Sequence, residues 1–290
     1  MPVDVSDPQF FTGTADVILP PSRRDDAVIA RAEAAISELD RLEEMISAAN
    51  DANPPLDYEL PAGFRLSVVI PVYNEVATVR EVVARVRAIP FNTEVIIVDD
   101  CSTDGTRDVL QSWGNPPGMQ LILKPRNEGK GAALRTGFAA ATGDVVVVQD
   151  ADLEYDPQDL RQVVRPIVEG AADVVFGSRF LGDEPQDRSW VHRLINRTLT
   201  GSSNLFTGLC LTDMETCYKA FRREVLRDLP LRQNRFGFEP EVTAKIARRG
   251  YRVCETPIHY RARGYDQGKK IGVRDAFNAL YCIVRYGLAD

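Results

Sequence analysis

The feature of this sequence that most constrains its fold is a series of short apolar runs, each ending at a polar or charged motif. The runs span residues 66–70, 94–98, 119–123, 144–149 and 173–176. Apolar residues at helical spacing lie between several of them. Continuous apolar strands that alternate with helices are typical of a parallel sheet with helices on both faces. We therefore predict an α/β fold with a mostly parallel sheet, in which ligands bind beyond the carboxyl ends of the strands.

An Asp-x-Asp motif follows the apolar run that contains four consecutive valines. It consists of Asp150, Ala151 and Asp152. Two carboxylates at a strand end can converge on Mg²⁺ or Mn²⁺, which prefer oxygen ligands and commonly bridge to substrate phosphates. Glu154 is a candidate for a further oxygen ligand. Because surface loops are rich in carboxylates, the position at a strand exit is what supports a metal site here.

Two further motifs follow the first two strands. Residues 71–75 read Pro-Val-Tyr-Asn-Glu, and Asp99 and Asp100 follow Val98. A carboxylate at a strand exit is well placed to accept hydrogen bonds from a nucleobase or a ribose. Helix capping by Asn74 and a turn at residues 100–102 are the structural alternatives, and both are compatible with binding.

The charge of the chain is unevenly distributed. The formal net charge of −7 argues against nucleic acid as a partner. Residues 1–63 hold 13 acidic and 4 basic side chains, whereas residues 186–290 hold 11 acidic and 19 basic ones. The negative excess therefore lies in the amino-terminal part, and the basic part is the one suited to phosphate groups.

The sequence pattern divides the chain into three parts. Residues 1–63 are predicted to be an acidic amino-terminal extension, with one long helix over residues 22–49 and a Pro-rich linker. Residues 64–270 form the main domain, and residues 271–290 form an amphipathic carboxyl-terminal segment. The long helix either packs on the main domain or acts as a short coiled coil for homo-oligomerisation. The carboxyl-terminal segment either packs on the domain or lies at a membrane surface.

Cysteine usage and hydropathy indicate the compartment. The five cysteines are scattered and form no Cys-x-x-Cys pair, which argues against a disulfide framework and a structural zinc site. The sequence has neither a run of 18 apolar residues nor the order of a signal peptide. We therefore expect a cytoplasmic location, with any membrane contact peripheral and at the cytoplasmic face.

Taken together, the motifs resemble those of the family 2 glycosyltransferases, which have the GT-A (Rossmann-like) fold. The matching segments are 71–75, 98–106, 127–131 and 150–152, and segments 177–180 and 261–264 narrow the resemblance to the dolichyl-phosphate mannose synthase-like branch. The match covers about residues 64–275. It implies a metal-dependent, inverting hexosyltransferase. The donor would be a nucleotide diphospho-sugar (GDP-mannose or a UDP-hexose), and the acceptor a polyprenyl phosphate of the dolichyl or undecaprenyl type.

The resemblance also implies roles for individual residues. The positions that match the nucleotide-binding residues are Pro71, Tyr73, Glu75, Val98 and Asp100. The donor and metal segment, for Mg²⁺ or Mn²⁺, comprises Asp150, Ala151, Asp152 and Glu154. Arg179 and Arg263 match arginines that hold the donor diphosphate or the acceptor phosphate. At the segment expected to face the acceptor, His192 and Asn196 stand where the family has an arginine and a serine.

Three lysines and one aspartate complete the predicted site. Lys130 opens a helix after a glycine-flanked loop, a position that favours an anion, so it is a candidate donor contact as well as a candidate solvated lysine. Lys269 and Lys270 are candidates for closing over the diphosphate. Asp213 is the best candidate for a general base if the acceptor is a hydroxyl group. A phosphate acceptor is already ionised and needs no base.

Two other functions stay open. One is a soluble glycosyltransferase that acts on a hydroxyl group of a glycan or a small metabolite. The other is a nucleotide-sugar-binding protein that has lost catalysis, which the intact Asp150, Asp152, Arg179 and Arg263 argue against. The sequence identifies neither the sugar nor the base of the donor.

Overall fold

The computed structural model describes residues 23–51, 55–114, 116–182, 190–262 and 273–288. The α-helices in these ranges are α1 (Arg23–Asp51), α2 (Val79–Arg87), α3 (Thr106–Ser112), α4 (Lys130–Ala140), α5 (Leu160–Val168), α6 (Trp190–Thr207), α7 (Arg223–Asp228), α8 (Phe238–Arg248) and α9 (Val273–Leu288). The strands are β1 (Leu66–Val72), β2 (Thr93–Asp99), β3 (Met119–Leu123), β4 (Val145–Val148), β5 (Val174–Ser178), β6 (Lys219–Arg222) and β7 (Val253–Pro257).

The strands of the described residues form one sheet in the order β3-β2-β1-β4-β6-β5-β7. Strand β1 pairs in parallel with β2 and β4, β2 pairs in parallel with β3, and β5 does so with β7. Strand β6 runs antiparallel to both of its neighbours. The register sets Val72 beside Asp99 and Val69 beside Val148, so β1, β2 and β4 end at the same edge. The predicted mostly parallel α/β sheet is confirmed.

The core consists of strands that are buried on both faces and of helices that cover them. All four valines of β4 are buried, as is every residue of β1 except Pro71. Helix α2 buries Val79, Val82, Val83 and Val86, which lie on one face at the spacing of an amphipathic helix. A fully buried valine contributes about 1.5–3 kcal/mol relative to an exposed one, so the runs seen in the sequence stabilise the sheet.

Helix α1 packs on the main domain through its carboxyl-terminal half, against α2 and α3. Leu42 is 1 % exposed, and Leu39 and Ile46 pack against the same core. One turn earlier, Ile36 is 58 % exposed. From Leu39 onwards the domain therefore covers the face that a coiled coil would use. Homo-oligomerisation through this helix stays a prediction, and the predicted start of the helix at Ser22 lies outside the described residues.

Helix α9 packs against α6 and α8. One face buries Ala279, Cys282, Ile283 and Tyr286, whereas Phe277 on the other side is 70 % exposed. Over the part of the chain that the structure describes, none of the helices has the length and apolar character needed to cross a bilayer.

Candidate functional site

Three loops at the carboxyl ends of β1, β2 and β4 are bonded to one another. The backbone N–H of Asn74 donates to Ser102 Oγ at 2.9 Å, and the backbone N–H of Thr103 donates back to Asn74 Oδ1 at 2.8 Å. Thr78 Oγ1 donates to the carbonyl oxygen of Ala151 at 2.7 Å. The structure therefore brings the three predicted motifs together at one edge of the sheet.

Each of these loops holds one non-glycine residue in the left-handed conformation. The φ angles are 57° at Asn74, 67° at Cys101 and 59° at Leu153, and these are all the residues of this kind in the described ranges. Such residues cost about 1–3 kcal/mol each and persist only where the surroundings fix them. The backbone strain of the molecule is thus concentrated at the edge that carries the motifs, as is common at functional sites.

The predicted nucleotide contacts differ in how accessible they are. Val98 is fully buried within β2 and lies beside Pro71 of β1. The Tyr73 side chain is 40 % exposed, which leaves its ring free to stack on a planar ligand. Glu75 Oε2 accepts a hydrogen bond from Thr78 Oγ1 at 2.9 Å. The binding roles of these residues stay predictions.

The carboxylate of Asp100 holds the loop that opens helix α4. It accepts hydrogen bonds from Lys124 Nζ at 2.8 Å and from the backbone N–H groups of Glu128 and Gly129 at 3.0 and 2.6 Å. Gly129 has a φ of 98°, and a Cβ atom there would lie 2.5 Å from the carbonyl oxygen of Asn234. This loop needs a glycine, and Asp100 fixes the backbone from which Lys130 emerges.

Lys130 links the Asp-x-Asp motif to helix α8. Its Nζ lies 2.8 Å from Asp150 Oδ1 and 3.7 Å from Glu239 Oε1. Burial disfavours the charge, but the neighbouring carboxylates, Asp150 first, raise the pKa of Lys130 well above its usual range. Lys130 is therefore a fixed positive charge beside Asp150, which makes it more than a solvated loop lysine.

The other two predicted metal ligands lie one turn further along. Asp152 Oδ1 accepts from the backbone N–H of Glu154 at 3.2 Å, and Glu154 Oε2 accepts from Tyr260 Oη at 2.9 Å. In the described part of the chain, no three His, Cys, Asp or Glu side chains converge as a ready-made metal site. The protein thus offers carboxylates at this edge, of which Glu154 is already held by Tyr260.

Arg179 and Asp213 form a buried ion pair on the other side of the site. Arg179 donates its backbone N–H to Asp213 Oδ2 at 3.1 Å, its Nε to Oδ2 at 2.6 Å and its Nη2 to Oδ1 at 2.7 Å. Asp213 is fully buried and the Arg179 side chain is 13 % exposed. Although burial opposes the charge, Asp213 raises the pKa of Arg179 well above its usual range. The guanidinium also lies over the Tyr260 ring, 5.1 Å from its centroid.

Two glutamates without a role in the sequence prediction interact with these groups, Glu239 with Lys130 and Glu215 with Arg179. Glu239 is 4 % exposed, and its Oε2 is buried without a hydrogen-bond partner; Glu215 Oε1 is in the same situation. Burial and repulsion by Glu239 raise the pKa of Glu215 to about 8. Nothing in their local sequence distinguishes them, because acidic residues in the first turn of a helix, such as Glu239 in α8, usually stabilise the helix dipole.

Arg263, Lys269 and Lys270 lie outside the described residues, so their roles stay predictions. The described residues that precede this segment lie beside the loop after β4, since the backbone N–H of Arg261 donates to the carbonyl oxygen of Glu154 at 2.8 Å.

This combination of a mostly parallel sheet, carboxylates at the end of β4 and an ion-paired arginine is that of a GT-A glycosyltransferase. Residues 67–230 match the model of the family described as Glycosyl transferase family 2, and the chain belongs to this family. The family predicted from the motifs is thereby confirmed.

Two curated relatives act on undecaprenyl phosphate, according to their names. Undecaprenyl-phosphate 4-deoxy-4-formamido-L-arabinose transferase of Aeromonas hydrophila subsp. hydrophila is 31 % identical over 225 residues, which cover 76 % of this chain and 66 % of that protein. Undecaprenyl-phosphate mannosyltransferase of Micrococcus luteus is 29 % identical over 233 residues, which cover 78 % of this chain and 95 % of that protein. The chain thus spans slightly less than two thirds of the first relative.

Solved structures agree with the fold. Glucosyl-3-phosphoglycerate synthase from Mycobacterium tuberculosis in complex with UDP has a TM-score of 0.62 and 24 % identity, covering 81 % of this chain and 89 % of that one. The same synthase with Mn²⁺, UDP and glucosyl-3-phosphoglycerate gives the same TM-score and identity. The predicted GT-A fold is confirmed.

Proposed function

We propose that this protein transfers a hexosyl group from a nucleotide diphospho-sugar to a polyprenyl phosphate of the dolichyl or undecaprenyl type, with inversion at the anomeric carbon. The observation that carries the proposal is the buried ion pair of Arg179 and Asp213. The names of the relatives that are about 30 % identical support the same acceptor class. GDP-mannose and UDP-hexoses are the donors to test first.

The ion pair favours a phosphate acceptor over a hydroxyl acceptor. Both oxygens of Asp213 accept hydrogen bonds from Arg179, so the carboxylate is paired with the guanidinium and is not presented alone to a substrate hydroxyl group. A phosphate acceptor arrives ionised and requires positioning and charge neutralisation. Asp213 then serves to orient Arg179, whose guanidinium binds the acceptor phosphate.

In the proposed reaction, an oxygen of the acceptor phosphate attacks the anomeric carbon from the side opposite the diphosphate. The bond between that carbon and the diphosphate oxygen breaks, and the nucleoside diphosphate leaves with the electron pair. Lys130 adds a fixed positive charge on the leaving-group side, next to Asp150. Arg263 with Lys269 or Lys270 is proposed to add further positive charge there.

We propose that Asp150 and Asp152 hold a Mg²⁺ or Mn²⁺ ion. The donor set fits this ion, because Mg²⁺ is usually bound by one or two protein carboxylates and completes its coordination with substrate phosphate oxygens. Glu154 is the candidate for a third oxygen. When bound, the ion neutralises the charge that develops on the departing diphosphate. The related structure that holds Mn²⁺ together with UDP supports this proposal.

One experiment tests donor, acceptor class and metal together. The purified protein and Mn²⁺ are incubated with a panel of labelled nucleotide-sugars and a short-chain polyprenyl phosphate, and the label that moves into the organic phase is measured. We expect transfer from one donor, and no transfer by Asp152→Ala with any divalent ion. Absence of transfer from every donor would overturn the proposed function, and wild-type activity of Asp152→Ala would remove the metal role.

We further propose that the protein works at the cytoplasmic face of a membrane, docked through the exposed apolar side chains of α6 and α9, here named the α6–α9 face. Its members are Trp190, Val191, Leu194, Ile195, Leu205, Phe277, Leu280, Tyr281, Val284 and Leu288. Ten of the thirteen exposed large apolar side chains in the described ranges belong to this face, and the two helices pack against each other.

The composition of the α6–α9 face favours a lipid surface as its partner. Apolar and aromatic residues on one side of a helix, flanked by arginines such as Arg197 and Arg285, are typical of helices that lie in an anionic membrane interface. The face also adjoins the site, because Asn196 of α6 donates its Nδ2 to the carbonyl oxygen of Thr212 at 3.4 Å, next to Asp213. A lipid-linked phosphate would thus reach Arg179 from the membrane surface.

A further inference from the structure

We infer that Glu215 and Glu239 bind hydroxyl groups of the transferred sugar, an assignment that rests on the proposed function. The sugar of the donor is bonded to the diphosphate and is attacked by the acceptor phosphate. It must therefore lie between the groups that hold these two phosphates. Under the proposed function those groups are Asp150 with Lys130 for the diphosphate and Arg179 with Asp213 for the acceptor phosphate.

Contacts and electrostatic interactions connect the two glutamates with both of these groups. Glu239 Oε1 lies 3.7 Å from Lys130 Nζ, which is itself 2.8 Å from Asp150. Glu215 interacts electrostatically with Glu239, with the buried Lys219 and with Arg179. The two glutamates thus interact with Lys130 beside Asp150 and with Arg179 beside Asp213, which are the two groups that the sugar must lie between.

Both glutamates hold an oxygen that lacks a donor. Glu239 is 4 % exposed, and neither its Oε2 nor Glu215 Oε1 has a hydrogen-bond partner in the described protein. Buried polar atoms without a partner are rare in native proteins and call for a ligand or a bound water. Phosphate oxygens only accept hydrogen bonds and would be repelled by the Glu239 carboxylate, whereas the hydroxyl groups of a hexose can donate to Glu239 and can both donate to and accept from Glu215. A polyhydroxylated ligand therefore matches these atoms.

Glu241 shows what a purely structural carboxylate looks like on the same helix. Its oxygens accept hydrogen bonds from the backbone N–H groups of Arg232 and Gln233 and from Lys245 Nζ, at 2.7 to 3.0 Å. Two residues earlier, Glu239 retains an oxygen without a donor. The contrast separates a glutamate that fixes a loop from one that is left available for a ligand.

Binding measurements test the assignment without relying on turnover. Isothermal titration calorimetry compares UDP-glucose with UDP, and GDP-mannose with GDP, for the wild type and for Glu239→Gln and Glu215→Leu, of which the second removes both oxygens of a side chain that is protonated at neutral pH. We expect at least tenfold weaker binding of the nucleotide-sugar that the wild type prefers, and less than twofold change for the matching nucleoside diphosphate. Glu241→Gln is the matched control, which should lower the melting temperature without changing the ratio of the two affinities.

Two results would overturn the assignment. One is equal weakening of nucleotide-sugar and nucleoside diphosphate binding in Glu239→Gln and Glu215→Leu. The other is unchanged nucleotide-sugar binding in both variants. Failure of the proposed function gives a different pattern, in which the nucleotide-sugar binds and depends on the glutamates but no sugar reaches the polyprenyl phosphate.

Discussion

Asp213 is a carboxylate whose neighbours decide its chemistry. In the sequence it is the best candidate for a general base, but in the structure both of its oxygens are bonded to Arg179. General-base catalysis typically contributes 10²- to 10⁴-fold, whereas orienting an arginine contributes less. The effect of removing the negative charge therefore distinguishes a hydroxyl acceptor from a phosphate acceptor.

We expect Asp213→Asn to lower kcat for a polyprenyl phosphate acceptor by about tenfold or less, since the amide still accepts a hydrogen bond from Arg179. With a hydroxyl acceptor, the same variant should lose at least about 100-fold. Transfer of labelled sugar to each acceptor is the measurement, with Glu81→Gln on the exposed face of α2 as the control. A larger loss with the phosphate acceptor would contradict the positioning role.

Glu215 makes the stability of the fold depend on pH. Burial and the neighbouring Glu239 raise its pKa to about 8 from an ordinary value of 4.5. Between these values the folded protein holds a proton that the unfolded chain releases. The stabilisation is therefore full below about pH 4.5 and is lost as the pH rises towards 8, by at most about 1.4 kcal/mol per pH unit.

Urea unfolding of the wild type and of Glu215→Gln at pH 5, 6.5, 8 and 9 measures this effect. The free energy of unfolding of the wild type should fall relative to that of the variant between pH 5 and 8 and then level off. A constant difference between the two proteins across this range would show that Glu215 does not titrate as stated.

Helix α1 is the element whose role depends most on its tertiary contacts. Leu42 is 1 % exposed against the main domain, whereas Ile36 on the same helix is 58 % exposed. Removing a buried leucine side chain to alanine costs about 2–5 kcal/mol, and exposed positions usually change stability by about 0.5 kcal/mol or less.

Leu42→Ala should therefore lower the free energy of unfolding by about 2–4 kcal/mol, and Ile36→Ala should leave it nearly unchanged. Chemical denaturation followed by circular dichroism measures both. Equal, small changes in the free energy of unfolding would indicate that α1 does not pack on the domain in solution. They would favour a coiled coil instead.

Across the described part of the molecule, the charged loops and most of the exposed apolar side chains lie on different elements. The carboxyl ends of β1, β2 and β4 carry the charged loops, and α6 and α9 carry most of the exposed apolar side chains in the described ranges. A molecule of this kind can hold a polar donor in the sheet edge while a lipid-linked acceptor approaches along the apolar face.

Sedimentation with vesicles of phosphatidylglycerol and phosphatidylcholine tests the α6–α9 face. The wild type should bind these vesicles, and the double variant Trp190→Ser/Phe277→Ser should bind at least tenfold more weakly. Ile36→Ser, which removes an exposed apolar side chain from a different helix, is the control. Failure of the wild type to bind, or a dimer that the double variant disrupts in analytical ultracentrifugation, would overturn membrane docking.

The sequence by itself determined five of the seven strands in the described residues and the loops that bear the motifs. Apolar runs and helical spacing are local patterns, and parallel strands necessarily end at the same edge, so 71–75, 98–106 and 150–152 could be placed together without a structure. The antiparallel strand β6 escaped prediction because its first residue is Lys219, a fully buried charge that interrupts the apolar pattern.

Only the tertiary structure decided which charged groups face one another. Arg179 meets Asp213 from 34 residues away, and Lys130 meets Glu239 from a different helix. The tertiary structure also leaves Glu239 with an oxygen that has no donor, whereas the oxygens of Glu241 have donors. It further adds five exposed apolar side chains of α6 to those of α9. Pairing, burial and exposure depend on distances between segments that are far apart in the chain, and local sequence patterns carry no information about those distances.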